Sequence, residues 1–276
     1  PNSFSEKEFL DLKINWLIKQ KNLNLIKEFI NNNNNQKTDP NLLNFYLDEY
    51  LSNGEIDNAC KIFDIIKILP EDYYSTKFKI YCLIYSKNRD FAQVQYDLLK
   101  EKNFNDKSFE MIFNFLMGYV DNINLKISEE TILDFHLSRI TNNQFEFEPN
   151  DKTKKNIWKY LNSFNLLENL DNVDIDDDEK ILSIEKATHN KNYSEKDLLN
   201  LYKRYRCSIQ ELLSIEDSYK SLNENQARAL LYQGILLSKD DSNKIKLLQI
   251  LKESFKKSKI ENAFNIEIVK ILEEID

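Results

Sequence analysis

Apolar residues along this chain return in a pattern that repeats about every 33–35 positions. Leu43, Leu47, Tyr50, Ile56, Ala59 and Phe63 reappear 35 residues later as Phe78, Cys82, Tyr85, Phe91, Val94 and Leu98. Shifted back by 33, the same six positions read Leu10, Ile14, Leu17, Leu23, Ile26 and Ile30. Inside each triplet the spacing is 3 or 4 residues, which places the members on one helix face. A repeat of this length accommodates two short antiparallel helices and a turn, the unit of an α-solenoid.

Local chemistry marks where these helices begin. Ser5-Glu6-Lys7-Glu8 has the form of a capping box and precedes the apolar run Phe9–Leu17, predicting a first helix to about Lys19 and a second over 23–30. Asn31–Asn35 reads as a solvated loop. Asp39-Pro40 supplies an N-cap and a proline at the first helical position, so helices follow over 41–52 and 55–68 on either side of Gly54, with Pro70 as the stop. A third hairpin spans 72–87 and 90–102. After Asn105 the register loosens, with a helix over 128–140. Residues 141–151 break the pattern, and 154–167 resumes it. Beyond the acidic stretch Asp171–Glu179, helices are predicted near 177–190, 195–206, 208–220, 224–238, 242–258 and 260–275. No segment alternates convincingly with period two. The expected fold class is all-α, an α-solenoid of roughly six to eight antiparallel helix hairpins. Residues 1–140 form a repeat half, and 141–276 form a second helical half packed on the solenoid or continuing it.

Composition narrows the functions available. Three Gly and four Pro in 276 residues leave no glycine-rich loop to cradle a phosphate, and no cofactor is expected. The net charge of −8 disfavours a nucleic-acid partner, which demands a basic surface. No apolar run approaches the ~18 residues of a membrane span, so no transmembrane segment is expected. The chain begins with Pro1 rather than Met, which fits a fragment or a processed chain. Three cysteines without CxxC spacing fit neither a zinc site nor a disulfide scaffold. Cys60 and Cys82 fall on helices that stack in consecutive repeats, so they are either buried thiols or a bridge formed in an oxidising compartment.

At these residues the first half resembles the tetratricopeptide family. Leu43, Leu47, Tyr50, Gly54, Ala59, Phe63 and Pro70 fall at or next to its signature positions, as do Phe78, Tyr85, Phe91 and Leu98 in the next unit. Arg89 stands where glycine is usual, and Val94 where alanine is. The resemblance covers residues 8–120 in degenerate form. It implies a concave inner face to which Asn44, Asp48, Lys79 and Leu83 contribute, and a protein or peptide as the partner. The set of Lys, Asn and Arg residues with which some relatives clamp a terminal carboxylate is missing. The stretches Asn58-Ala59-Cys60, Ile80-Tyr81-Cys82 and Ala227–Gln233 are also similar to exported helical-repeat proteins of alphaproteobacteria. That similarity implies a periplasmic or envelope location, the cytoplasm being the alternative, and brings no activity with it.

Other constellations have a structural and a chemical reading. Asp174, Asp176, Asp178 and Glu185 match carboxylate positions of a calcium loop, but Glu179 replaces the glycine its sharp turn needs. Acidic residues at a helix start answer to the helix dipole alone, so no metal is expected. Tyr202-Lys203-Arg204-Tyr205-Arg206 reads either as an aromatic-basic surface or as one packed helix face. His136 and His189, the only histidines, belong to no recognisable metal or catalytic motif. The expectation is a non-enzymatic scaffold that binds a protein or peptide. The alternatives are a recognition arm or accessory subunit of a cell-envelope enzyme and a structural homo-oligomer.

Overall fold

The computed structural model describes residues 5–150 and 152–274, so Pro1 lies outside the described residues. These residues are all-α, with sixteen α-helices and no strand. None of the helices is long and apolar enough to cross a membrane. The chain divides into two compact units, the first running to Glu148 and taking in Thr153–Asn165, the second holding Pro149–Lys152 and the residues from Leu166 on.

The first unit contains α1 (Glu6–Gln20), α2 (Leu23–Asn32), α3 (Pro40–Ser52), α4 (Ile56–Cys60), α5 (Tyr73–Tyr85), α6 (Arg89–Glu101), α7 (Lys107–Met117), α8 (Ile132–Ile140) and α9 (Lys155–Ser163). The caps set these boundaries. Ser5 and Glu8 form the reciprocal capping box, Asp39 accepts from the Leu42 N–H, and Gly118 takes the left-handed conformation that ends α7. The second helix of the second hairpin is shorter than predicted. α4 passes into a 3-10 turn at Lys61–Asp64, where Ile62, Ile65, Ile66 and Ile68 crowd the backbone ahead of Pro70.

α3 is the hub of this unit. It buries Leu42, Leu43, Tyr46, Leu47, Leu51 and Ser52, an arc too wide for one neighbour, and packs against α1, α2, α4, α5, α8 and α9. α9 comes back to it across more than a hundred residues, with Lys159 pairing with Glu49 at 2.7 Å and the Ser163 hydroxyl donating to the Ser52 carbonyl at 2.9 Å. This return assigns 153–165 to the first unit, beyond the boundary read at 140. Not every echo position is core. In α6, Ala92, Tyr96 and Leu99 face inward and Tyr96 stacks on Phe113, while Phe91, Val94 and Leu98 are exposed.

Cys60 and Cys82 are joined by a disulfide that ties the end of α4 to α5, with Cα atoms 5.4 Å apart. Cys207 keeps its thiol, and burial raises its pKa.

The second unit contains α10 (Asp178–His189), α11 (Glu195–Lys203), α12 (Ile209–Leu213), α13 (Ile215–Ser218), α14 (Glu224–Leu237), α15 (Asp241–Lys257) and α16 (Ile266–Glu273). Two predicted helices are split. The stretch 208–220 breaks at Ser214, whose backbone N–H and hydroxyl both donate to the Gln210 carbonyl and close α12 there. The stretch 260–275 restarts at Ile266 because the Glu195 carboxylate accepts from the backbone N–H groups of Asn265, Ile266 and Glu267. α14 is the central element, packed against α10, α11, α12, α13 and α15. Gly234 lets Ile215 lie against it, since a Cβ there would stand 2.3 Å from the Ile215 Cδ1.

At the centre of this unit Glu185 and Arg228 form an ion pair with neither side chain exposed. Tyr202 donates to the carboxylate, and Ser254, Ser258 and Glu224 accept the other guanidinium protons, with the Phe255 ring 5.2 Å away. Desolvation pulls the Glu185 carboxyl up, and Arg228 opposes it. Such a pair gains little over an apolar replacement but is costly to break.

Two stability outcomes follow from these contacts. Arg228→Ala is expected to lose about 3–5 kcal/mol in denaturant unfolding, whereas the Glu185→Leu/Arg228→Met double variant recovers most of it; equal losses would contradict the pairing argument. Closing the 22-residue separation between Cys60 and Cys82 constrains the unfolded chain by roughly 3 kcal/mol. Reductant should therefore lower the melting temperature of the native chain and leave a Cys60→Ala/Cys82→Ala variant unmoved.

Candidate functional site

The residues expected to line an inner face have different fates. Asn44 accepts from the Ser75 hydroxyl at 2.8 Å, and Asp48 accepts from the Tyr74 hydroxyl, so both are engaged in the α3–α5 seam. Leu83 is half-buried near the end of α5. Lys79 lines a groove of about 720 Å3 between α5 and α6.

Helix spacing builds this groove. Asp72 caps α5 by accepting from the Ser75 N–H at 2.9 Å, and Thr76 lies one turn on, its hydroxyl donating to the Asp72 carbonyl. Lys79 follows at the next turn, so the three share one face of α5. Gln95, Leu98, Leu99 and Lys102 of α6 and its end face them, and Leu69 and Pro70 close one wall. Tyr73 is steadied by Phe104, 5.0 Å from ring to ring. A second groove of about 380 Å3 adjoins the first through Pro70 and Glu71, and is lined by Leu10, Ile14, Phe29 and Leu42. Apolar walls with a few polar groups are the usual make-up of a binding groove.

Several titratable groups lie elsewhere, inside the packing. His136 is buried with Nδ1 2.7 Å from the Tyr160 hydroxyl and Nε2 2.7 Å from the Tyr81 hydroxyl, and burial drives its pKa down to about 3. Lys77 is buried between Asp134 at 2.8 Å and Asp106 at 3.2 Å, which ties α5 to α8 and to the cap of α7. Burial raises the Asp48 carboxyl to about 6, against the Tyr74 hydroxyl that favours the ionised form.

In the second unit the calcium-loop positions do not converge. Asp178 accepts from Asn223 and Asn225, and Glu185 is held in the core by Arg228. Asp174 and Asp176 line a separate cavity of about 830 Å3 beside Tyr205 and Arg206. Among the described residues no group of three or more His, Cys, Asp or Glu side chains is placed to hold a metal ion. The aromatic-basic cluster is largely spent on packing. Tyr202 is buried on Glu185, and Arg204 donates to the carbonyls of Leu170 and Val173 at 2.6 and 2.7 Å.

The sequence reading reached Lys79 through repeat register and passed over Asp72 and Thr76. Their spacing of seven and three residues before Lys79 was the available signal. Against known protein families, curated proteins and solved structures, the chain finds no match.

The Asp48 carboxyl makes a testable link between pH and stability. An acid whose folded pKa lies above its unfolded one holds its proton more tightly when folded. Its favourable contribution is therefore full below about pH 4 and lost as pH rises to about 6. Asp48→Asn should match the native chain near pH 4 and exceed it by on the order of 2–3 kcal/mol at pH 7. A difference that is the same at both pH values would remove Asp48 as the cause.

Proposed function

We propose that the chain is a non-enzymatic helical-repeat scaffold that binds a protein or peptide segment, with the α5/α6 groove as its contact surface. The observation that carries this reading is the pair of adjoining grooves at Pro70 and Glu71, which serve three successive helix hairpins. Degenerate tetratricopeptide-like hairpins are the finer reading of the fold. Consecutive packing of α1 with α2, α3 with α4 and α5 with α6 supports it, as does the spacing of the apolar echo.

The reading as a binder rather than an enzyme draws support from the perturbed groups. His136, Glu185 and Tyr202 are buried and satisfied by one another or by neighbouring side chains. Catalytic groups, in contrast, need contact with a reacting molecule. The Cys60–Cys82 bridge favours an oxidising compartment, and with it an envelope location over a cytoplasmic one.

Peptides selected from a random display library on the full chain provide the test. Thr76→Trp fills the groove from α5 without touching the core, and selected peptides should bind this variant at least about tenfold more weakly. Peptides that bind native and filled grooves equally would place the contact surface elsewhere.

A further inference from the structure

Two lysines on α5 sit in opposite circumstances. Lys77 is buried and has two carboxylates, Asp106 and Asp134. Lys79, two residues on and half-buried in the groove wall, has no hydrogen-bond acceptor or carboxylate partner for its ammonium among the described residues. Removing an ammonium from water is unfavourable unless a counter-charge accompanies it, and burial pulls the Lys79 pKa down accordingly. Lys102, at the far end of α6, adds a second cation to the same groove. The nearby Glu71 carboxylate is already paired with Lys37 at 3.3 Å.

Asp72 uses one carboxylate oxygen to cap α5, while its Oδ2 is buried and meets no donor. From Asp72 through Thr76 to Lys79 the helix rises roughly 10 Å at about 1.5 Å per residue, a span that an extended chain covers in about three residues. Between these polar ends the walls are Leu69, Pro70, Leu98 and Leu99, suited to alternate apolar side chains of an extended segment.

We propose that the α5/α6 groove takes an extended segment of a partner protein through an acidic side chain seated on Lys79. Apolar neighbours of that side chain lie against Leu98 and Leu99. The proposal rests on the reading of this groove as a peptide site and specifies the chemistry that fills it. A glutamate or aspartate supplies the counter-charge that Lys77 finds inside the protein and Lys79 does not. The charge-assisted hydrogen bond it forms in a partly desolvated groove is stronger than a neutral one.

Three fluorescein-labelled hexapeptides test this, alternating leucine with glutamate, glutamine or lysine, each titrated against the full chain by fluorescence anisotropy at low and at physiological salt. The glutamate peptide is expected to bind at least about tenfold tighter than the glutamine peptide, with the lysine peptide weakest. Added salt should narrow that gap. Lys79→Met should abolish the preference and Lys79→Arg keep it, with melting temperatures reporting that both variants fold; should either not fold, the ranking on the native chain still decides. Equal binding of the glutamate and glutamine peptides, or a preference that survives Lys79→Met, would overturn the acidic anchor and leave the groove as a peptide site. Failure of all three peptides to bind at up to about millimolar concentration would overturn the groove reading and the anchor together.

Discussion

The first unit depends on the need of α3 for cover on more than one side. Its sequence, from Pro40 to Ser52, places Leu42, Leu43, Tyr46, Leu47 and Leu51 over about half of the helix circumference. One hairpin partner and one neighbouring hairpin cannot hide so wide an apolar surface. The chain supplies the missing neighbours itself by returning α8 and α9 to α3. That return decides which surfaces stay open. Asn44 and Asp48 become part of a packed seam, while the groove between α5 and α6, which no residue of α8 or α9 lines, keeps its polar and apolar lining accessible.

Most polar groups taken inside by the packing of each unit are answered there. Lys77 has Asp106 and Asp134, His136 has two tyrosine hydroxyls, and Arg228 has Glu185 with two serines. Each arrangement follows from the penalty on an unpaired buried polar group. Among the described residues the exceptions are the Oδ2 of Asp72, the Tyr96 hydroxyl and the Asn225 Oδ1, while half-buried Lys79 has its charge in the groove wall without a carboxylate beside it. Much of the interior chemistry thus has a structural explanation.

Much of the helical layout was legible in the chain because capping is local. Ser5 with Glu8 and Asp39 with Pro40 each announce a helix within a few residues of its start. A break that depends on a carboxylate from another helix, as at the start of α16, leaves no comparable local sign. The pairing of Lys159 with Glu49 was also out of reach, since it joins residues 110 apart through packing alone. At the groove, register led to Lys79, but the same register gave equal weight to Asn44 and Asp48. Only the placement of Ser75 and Tyr74 against those two residues separates them from Lys79.

Amide hydrogen exchange resolved along the chain addresses the role of α3 most directly, because protection reports how much of the fold must open to release each helix. The account predicts that the α3 amides are the slowest of the first unit, with those of α8 and α9 close behind and those of α6 faster. Exchange of α3 on the time scale of α6, or free exchange of α9 while α3 stays protected, would contradict the claim that the returning helices complete the core around α3.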